Sequence, residues 1–258
     1  MPRLFLRGQF IGEVNCILFD KDGTLVNSQN YLYELASLRI QEALKIYKQI
    51  SLSKDSFINF QNSLHLAYGL KNNEIHPNSS IAIASRDQNL ISTATVFCLY
   101  GQRWVQALEI ANQIFNSVDK NLSIQCQKKS QRKIEPGALN FIKALKKAKI
   151  ILGIISNDNK SGIKGFLTEN KLEKDFDYYW SSEDYPSKPD PNSIKSLCQK
   201  LKVSSSKCAM ISDSDSDLLI AKRNSIPILL GYLGAWSIQP EIYEHDHLIN
   251  HWNELNIQ

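Results

Sequence analysis

The fold follows from one stretch of sequence, Asn15-Cys16-Ile17-Leu18-Phe19-Asp20-Lys21-Asp22-Gly23-Thr24-Leu25. Its apolar part, Cys16–Phe19, has the length and composition of a buried β-strand, and two carboxylates follow it directly. If the strand's alternation continues, Asp20 and Asp22 lie on one side of the chain and Lys21 lies on the other. The stretch therefore predicts a buried strand that ends in a pair of acids.

The two acids predict a cation. Two ionised carboxylates that share a small volume repel each other, so a positive charge is expected between them. Carboxylate oxygens and a partly retained water shell suit Mg²⁺ better than the softer transition metals. Asp20 and Asp22 therefore indicate a divalent metal site with Mg²⁺ as the expected cofactor.

Four further apolar runs also lead into polar or acidic residues, and they span residues 150–155, 178–180, 208–211 and 226–230. Segments with the apolar spacing of helices separate these runs, over residues 139–149, 161–171, 191–201 and 215–224. Strands that alternate with helices are typical of parallel sheets in α/β folds. We therefore expect a Rossmann-like, three-layer α/β core with a mainly parallel sheet.

An insertion separates the first strand from the second. The gap of roughly 130 residues is far longer than an ordinary crossover connection. Apolar residues recur in it at three- and four-residue spacing, which predicts helices. We expect a core of residues 1–26 and 135–258 and a mainly α-helical inserted domain of residues 27–134, with hinges at 26–29 and 128–135.

Composition limits the possible partners. The net charge of +4, from 30 Lys and Arg against 26 Asp and Glu, is too small to indicate nucleic-acid or membrane binding. Five cysteines without a close pair fit neither a disulfide framework nor a zinc ribbon, and we expect them to be reduced. No stretch resembles a signal peptide or a membrane span. We therefore expect a cytoplasmic protein, and the sequence leaves its oligomeric state open.

Polar segments follow the predicted strands at the points where they end. They are Ser156-Asn157-Asp158, Lys188-Pro189-Asp190-Pro191 and Ser212-Asp213-Ser214-Asp215-Ser216-Asp217. Ligands of open α/β sheets bind beyond the carboxyl ends of the strands. We therefore expect these segments to meet Asp20 and Asp22 in one site.

In this order, the four segments resemble the motifs of the haloacid dehalogenase superfamily, in particular its phosphatases with a helical cap inserted after the first motif. The first family motif, Asp-x-Asp-Gly-Thr, is present as Asp20, Asp22, Gly23 and Thr24. The second motif, a Ser or Thr at a strand end, corresponds to Ser156.

The third family motif, a Lys before a helix, corresponds to Lys188. The fourth usually reads Gly-Asp-Ser-x-x-Asp, and here it is Ser212, Asp213, Ser214 and Asp217. Ser212 stands where the family has Gly, a change that could crowd the turn but removes no ligand. The resemblance extends over the whole chain.

The resemblance implies a Mg²⁺-dependent phosphatase in which Asp20 attacks phosphorus and forms an aspartyl-phosphate. Asp22 would protonate the leaving oxygen and later deprotonate the hydrolytic water. The phosphate would be bound by Ser156, Asn157 and Lys188. Mg²⁺ would be bound by Asp20, the Asp22 carbonyl and Asp213, with Asp217 reaching it directly or through water.

The resemblance also implies a substrate class, small phosphorylated metabolites such as phosphoglycolate. Three arginines of the insertion could bind a second anionic group of that substrate, namely Arg39, Arg86 and Arg103. The cap would close over the core to exclude water from the first step.

Two alternatives remain open at this point. A phosphomutase of the same superfamily keeps the same acids and differs in how its cap excludes water. A catalytically idle member that binds a phosphorylated ligand or a protein would be indicated by the loss of a catalytic acid or of Lys188, and none of these residues is missing.

The C-terminal segment contains three histidines, at positions 245, 247 and 251. A short edge strand at His247-Leu248-Ile249 is favoured over a zinc site. Asn250 is then expected to cap a final helix that carries Trp252 and Leu255.

Overall fold

The computed structural model describes residues 1–50, 54–126 and 133–258. The chain divides into two compact units, a core unit of Met1–Ser28 with Arg132–Gln258 and a helical unit of Gln29–Gln131. Most of the expected second hinge, 128–132, lies outside the described residues. The expected domain boundaries at residues 26 and 134 remain a prediction.

The described residues contain short strands and mostly longer helices. The strands are β1 Arg3–Leu6, β2 Gln9–Glu13, β3 Cys16–Phe19, β4 Leu70–Lys71, β5 Glu74–Ile75, β6 Ile151–Ile155, β7 Tyr178–Trp180, β8 Cys208–Ser212, β9 Ile228–Tyr232, β10 His247–Ile249 and β11 Leu255–Ile257. The helices are α1 Gln29–Ile50, α2 Lys54–Tyr68, α3 Ser80–Ile83, α4 Arg86–Leu99, α5 Trp104–Cys126, α6 Ala138–Lys147, α7 Lys160–Glu169, α8 Asn192–Leu201 and α9 Asp215–Arg223.

The main sheet of the core unit is parallel. Within the described residues it has six strands in the order β10-β9-β8-β3-β6-β7. The register pairs Phe19 at the end of β3 with Ile211 of β8 and Ile154 of β6. The predicted α/β class is confirmed, and β3 lies between the two strands that precede Ser156 and Asp213.

Helices cover both faces of this sheet. Alternate residues of β3 point to opposite sides and pack on each of the two faces. Cys16 and Leu18 pack with Ile194 and Leu197 of α8 in one apolar cluster. On the other face, the Phe19 ring lies 5.8 Å from that of Phe176. Each fully buried Leu or Ile of such a core stabilises the fold by about 1.5–3 kcal/mol.

The cysteine side chains that the structure describes are free thiols. Cys16, Cys198 and Cys208 are buried and Cys98 is partly exposed. Hydrogen bonding among the three buried sulfurs and burial raise the pKa values of Cys198 and Cys208. Thiols of this kind are poor nucleophiles, which fits a packing role.

A second, antiparallel sheet was not expected from the sequence. It has the order β11-β1-β2, and the turn between β1 and β2 uses Arg7 and Gly8 at φ values of 50° and 81°. Two residues at positive φ form the type of turn that suits a tight hairpin, and Gly8 was its sequence signal.

The predicted final helix is wrong, whereas the edge strand before it is confirmed. His247–Ile249 forms β10 at one edge of the main sheet. After it, Trp252–Glu254 forms a single 3-10 turn, and β11 pairs with β1 through Leu255 and Leu6. The strand was favoured over the helix because distant β1 supplies a hydrogen-bonding edge, which local periodicity does not reveal.

The helical unit contains α1 to α5 and the hairpin β4-β5. Its core includes a cluster of aromatic rings in which Tyr47 stacks on Phe60 at 4.0 Å and Phe97 meets Phe60 edge-on at 4.9 Å. The predicted helical character of the insertion is confirmed, although the hairpin β4-β5 lies between α2 and α3. Among the described residues, no helix is long and apolar enough to cross a membrane.

Candidate active site

The segments that carry the predicted site residues lie at the carboxyl ends of neighbouring strands. Asp20 follows β3, Ser156 follows β6 and Asp213 follows Ser212, the last residue of β8. The backbone N–H of Asp20 donates to the Ile211 carbonyl of β8 at 3.0 Å, which joins the first and fourth segments. Lys188 comes from the loop between β7 and α8.

Lys188 joins two acids from different segments. Its Nζ donates to Oδ1 of Asp20 and to Oδ2 of Asp217, each at 2.7 Å. All three side chains are buried. Buried ion pairs persist only when their geometry compensates for lost solvation, so the arrangement is a specific one.

The charges of this cluster do not balance. Burial raises the pKa of Asp20, and the nearby carboxylates of Asp217 and Asp213 raise it further, while Lys188 opposes them. Burial alone would lower the pKa of Lys188, but the attraction of Asp20 and Asp217 outweighs it and raises that pKa. The buried carboxyl groups of Asp20, Asp213 and Asp217 therefore lie near one ammonium, that of Lys188. Their excess negative charge favours the binding of a further cation.

Asp213 is held at both carboxylate oxygens. Thr24 Oγ1 donates to Oδ1 at 2.8 Å and accepts from the backbone N–H of Asp213 at 2.9 Å. Trp236 Nε1 donates to Oδ2 at 2.7 Å. Burial raises the pKa of Asp213 to about 6, although the hydrogen bonds from Trp236 and Thr24 oppose that rise.

Gly23 is required beside Asp213. Its φ is +79°, and a Cβ atom there would lie 2.1 Å from Asp213 Oδ2 and 2.6 Å from Trp236 Nε1. A side chain at this position would therefore be strained and would also displace both partners.

The position of Lys21 corrects the sequence-based expectation. Its buried Nζ lies 2.5 Å from Asp22 Oδ2 and 3.1 Å from Asp158 Oδ2, so Lys21 pairs with Asp22 instead of pointing away from it. Strand alternation ends at Phe19, and the backbone N–H groups of Leu25 and Val26 both donate to the Lys21 carbonyl in a tight turn. Ser28 Oγ donates to the other Asp22 oxygen at 2.5 Å.

Ser156 is buried at the end of β6, next to β3 in the sheet. Its N–H donates to the Trp180 carbonyl at 2.9 Å, and its Oγ accepts from the N–H of Asp158 at 3.1 Å. Asn157 follows it and is partly exposed. Both residues therefore lie just beyond the end of β6, the position that the sequence predicts for them.

Ser212, the departure from the family pattern, is accommodated. Its side chain is buried, its Oγ donates to Asp217 Oδ2 at 3.0 Å, and it accepts from the N–H of Ser214 at 3.1 Å. Instead of crowding the turn, the hydroxyl adds a donor to the carboxylate that binds Lys188.

The three arginines of the helical unit differ in their surroundings. Arg39 is buried with its guanidinium 3.8 Å from the Phe115 ring centroid and 3.8 Å from Asp119 Oδ1. Arg86 Nε donates to the same Asp119 at 2.7 Å. Arg103 is exposed. The helical unit therefore brings Arg39 and Arg86 together at one carboxylate.

The oxygen atoms at the carboxyl ends of the parallel strands fit the coordination of Mg²⁺. Among the described residues, no three His, Cys, Asp or Glu side chains are arranged to hold a metal by themselves. Mg²⁺ in proteins usually takes only one or two carboxylates and keeps several waters. Asp20 and Asp213, with the Asp22 carbonyl, would supply such a set, and their uncompensated negative charge favours it.

Trp236 and Ser28 are contacts that the sequence reasoning missed. Trp236 lies a few residues beyond β9, which corresponds to the last of the five predicted strands, and no site residue was predicted after it. Its place after the carboxyl end of a parallel strand was the available signal. Ser28 gave no signal beyond its closeness to Asp22 in the sequence.

The comparison with family models identifies the protein's family. The model of the haloacid dehalogenase-like hydrolases matches residues 14–224. The match spans most of the chain, and the chain therefore belongs to this family and is a hydrolase. No curated protein matches the chain.

Several solved structures have a similar fold. A predicted phosphoglycolate phosphatase from Haemophilus somnus 129PT has a TM-score of 0.63 and 20% identity, over 94% of this chain and 96% of that chain. A putative β-phosphoglucomutase from Thermotoga maritima has a TM-score of 0.55 and 16% identity, over 93% and 96%. CbbY from Rhodobacter sphaeroides, solved with phosphate, has a TM-score of 0.53 and 13% identity, over 93% and 95%. At these identities the likeness extends to the fold alone.

Proposed function

We propose that the protein is a Mg²⁺-dependent phosphatase that hydrolyses small phosphorylated metabolites through an aspartyl-phosphate on Asp20. One observation carries the proposal, namely the buried Lys188 ammonium that joins Asp20 and Asp217 beside Asp213. Phosphate esters resist attack because their negative charge repels nucleophiles, and an ammonium next to an attacking carboxylate offsets that repulsion.

In the first step, a carboxylate oxygen of Asp20 forms a bond to phosphorus and the bond from phosphorus to the ester oxygen breaks. Oδ1 of Asp20 accepts a hydrogen bond from Lys188, so we assign the attack on phosphorus to Oδ2. Asp22 gives its proton to the departing alkoxide. In the second step, Asp22 takes a proton from water, the water oxygen bonds to phosphorus, and the bond to Asp20 breaks.

Lys188 would also bind an oxygen of the transferring phosphoryl group, since its ammonium is a compact point charge with three N–H donors, two of which serve Asp20 and Asp217. Ser156 Oγ and Asn157 would donate to other phosphoryl oxygens. Mg²⁺ bound by Asp20, Asp213 and the Asp22 carbonyl would neutralise negative charge on the phosphate. Asp217 would reach Mg²⁺ directly or through water, while its Oδ2 accepts from Lys188 and Ser212.

Residues 27–134 are proposed to act as the cap, and residues 1–26 and 135–258 as the catalytic core. Of the three arginines assigned to a second anionic group, Arg39 has the strongest support, because its buried Nε has no hydrogen-bond partner among the described residues. A small phosphorylated acid such as phosphoglycolate is the proposed substrate type. The name of one structural neighbour, a predicted phosphoglycolate phosphatase, fits this type. A cytoplasmic location remains part of the proposal.

The first test is hydrolysis of p-nitrophenyl phosphate with and without Mg²⁺. We expect turnover that requires Mg²⁺ and that falls to the level of buffer alone in Asp20→Asn. Asp55→Asn, which changes an exposed acid of α2, is the matched control and should leave the rate unchanged. If wild type and Asp20→Asn are equally inert on a panel of phosphorylated metabolites, the catalytically idle member that binds a phosphorylated ligand or a protein replaces the phosphatase.

The same panel separates the phosphomutase alternative. One similar fold carries the name putative β-phosphoglucomutase, so sugar phosphates belong in the panel. A phosphatase releases inorganic phosphate from them, whereas a mutase would produce an isomerised sugar phosphate. The release of phosphate from one member of the panel would also identify the substrate class.

A further inference from the structure

Trp236 is a buried tryptophan that contacts a site carboxylate. It lies in the segment after β9, and its Nε1 donates to Oδ2 of Asp213 at 2.7 Å. The indole N–H is a donor only, so this contact is one in which Asp213 must be the acceptor. A hydrogen bond to an ionised carboxylate is stronger than one between neutral groups.

The other oxygen of Asp213 is held by a residue from a different segment. Thr24, in the segment after β3, donates to Oδ1, and the Thr24 hydroxyl in turn accepts from the backbone N–H of Asp213. Rotation of the carboxylate would break both side-chain contacts at once. Two segments that follow different strands therefore fix one orientation of Asp213.

The surrounding backbone is shaped to admit this indole. Gly23 is the residue beside it, and any Cβ there would lie 2.6 Å from Nε1 of Trp236. The glycine thus leaves space both for Asp213 and for the indole that holds it. The contact between Trp236 and Asp213 is part of a built site and not a chance approach of two side chains.

We propose that Trp236 is a positioning residue that holds Asp213 ready to bind Mg²⁺. The proposal rests on the metal site of the proposed function. Partners that orient a metal ligand typically contribute about 10- to 100-fold to metal affinity, because an already oriented ligand does not have to be ordered on binding. Removal of the indole N–H should therefore weaken Mg²⁺ binding even when no substrate is present.

The test is calorimetric titration of the full chain with Mg²⁺ in the absence of substrate. We expect Trp236→Phe, which keeps a buried ring but removes the donor, to raise the Mg²⁺ dissociation constant by about 10-fold or more. Trp252→Phe is the matched control. Trp252 is buried against the rings of Tyr232 and Phe141, and its loss should lower thermal stability without changing Mg²⁺ affinity.

A second measurement uses the wild-type protein and does not depend on the folding of a variant. The four indole N–H signals of ¹⁵N-tryptophan-labelled protein are recorded during a Mg²⁺ titration. We expect one signal, that of Trp236, to shift most. Trp104→Phe, Trp180→Phe and Trp252→Phe assign it by elimination.

The outcomes separate this proposal from the function on which it rests. If Trp236→Phe binds Mg²⁺ as tightly as wild type while Asp213→Asn does not bind it, Trp236 has no positioning role and the metal site stands. An unshifted Trp236 signal in the presence of bound Mg²⁺ would likewise remove the positioning role. If wild type binds no Mg²⁺ at all, the metal site and the role of Trp236 are both overturned.

Discussion

Lys188 in the core unit and Arg39 in the helical unit are buried to a similar depth, with 6% and 4% of their surfaces exposed, but they are held differently. Lys188 donates to two carboxylates at 2.7 Å. Arg39 lies over the Phe115 ring, and its nearest carboxylate, at 3.8 Å, is bonded more closely to Arg86. Burial of a charge is therefore a poor guide to its role, and the number and geometry of its partners are a better one.

Among the substitutions that test this comparison, Lys188→Met is expected to have the largest effect on stability. Removal of the ammonium leaves Asp20 and Asp217 buried without their cation, so we expect a loss of about 3–5 kcal/mol in the free energy of unfolding. Loss of a charge aimed at the phosphoryl group should lower kcat on the order of 10²- to 10³-fold. Denaturant unfolding without Mg²⁺ and p-nitrophenyl phosphate turnover with Mg²⁺ measure the two effects.

The control for this substitution is Lys45→Met, which removes an exposed lysine that pairs with Glu42 on the same helix. It should change neither quantity. A small effect of Lys188→Met on both would mean that the partners of Lys188 contribute less than their distances indicate, and the contrast with Arg39 would disappear.

A smaller effect is expected for Ser212→Ala, which tests one hydrogen bond to the carboxylate that Lys188 contacts. The substitution removes the buried hydroxyl that donates to Asp217 and leaves the Lys188 contact in place. A hydrogen bond to a charged group contributes about 1.5–3 kcal/mol, and we expect a loss of that size in the free energy of unfolding.

Ser212→Gly, which restores the residue of the family pattern, should lose a similar amount. If both variants are as stable as wild type, the hydroxyl makes no contribution to holding Asp217, and the departure from the family pattern is neutral.

The smallest effect is expected for Arg39→Met. Methionine keeps much of the buried apolar volume, and replacing an imperfectly paired buried charge by an apolar side chain is often neutral or stabilising. Burial lowers the pKa of Arg39, although Tyr68 and Asp119 oppose that change, and this direction fits an incompletely paired charge. We therefore expect the free energy of unfolding to stay unchanged or to rise, as measured by denaturant unfolding.

Asp119 gives the matched comparison for Arg39, since Asp119→Asn removes the carboxylate that Arg39 and Arg86 share. That variant should be less stable than wild type. Should Arg39→Met instead destabilise the protein as strongly as Lys188→Met, the guanidinium is a structural ion-pair partner, and its assignment to a substrate anion loses its basis.

The strands that precede the site were predicted well from the sequence. Local patterns identified the strands that precede Asp20, Ser156, Lys188 and Asp213, because a short apolar run between helical segments is a property of the chain itself. They also placed these residues at the ends of strands. The same patterns gave no indication of β1 or β2, and β2 has little apolar alternation and no buried residue.

The predicted final helix and the predicted direction of Lys21 failed for a related reason. Each was inferred from local spacing, and each was decided by a partner elsewhere in the chain. β11 pairs with β1 at the opposite end of the sequence, and Lys21 pairs with Asp158 as well as with its neighbour Asp22. Local spacing carries no information about partners of this kind.

The sequence by itself determined the parallel α/β core, the helical character of the insertion and the set of acids that end the strands, because side-chain periodicity and composition are local. The tertiary structure decided which groups touch. Lys188 and Asp20 are 168 residues apart in the chain, and Trp236 approaches Asp213 from another strand end. Contacts of this kind form only when the strands are ordered side by side, which brings their carboxyl ends, and the charges on them, to one edge.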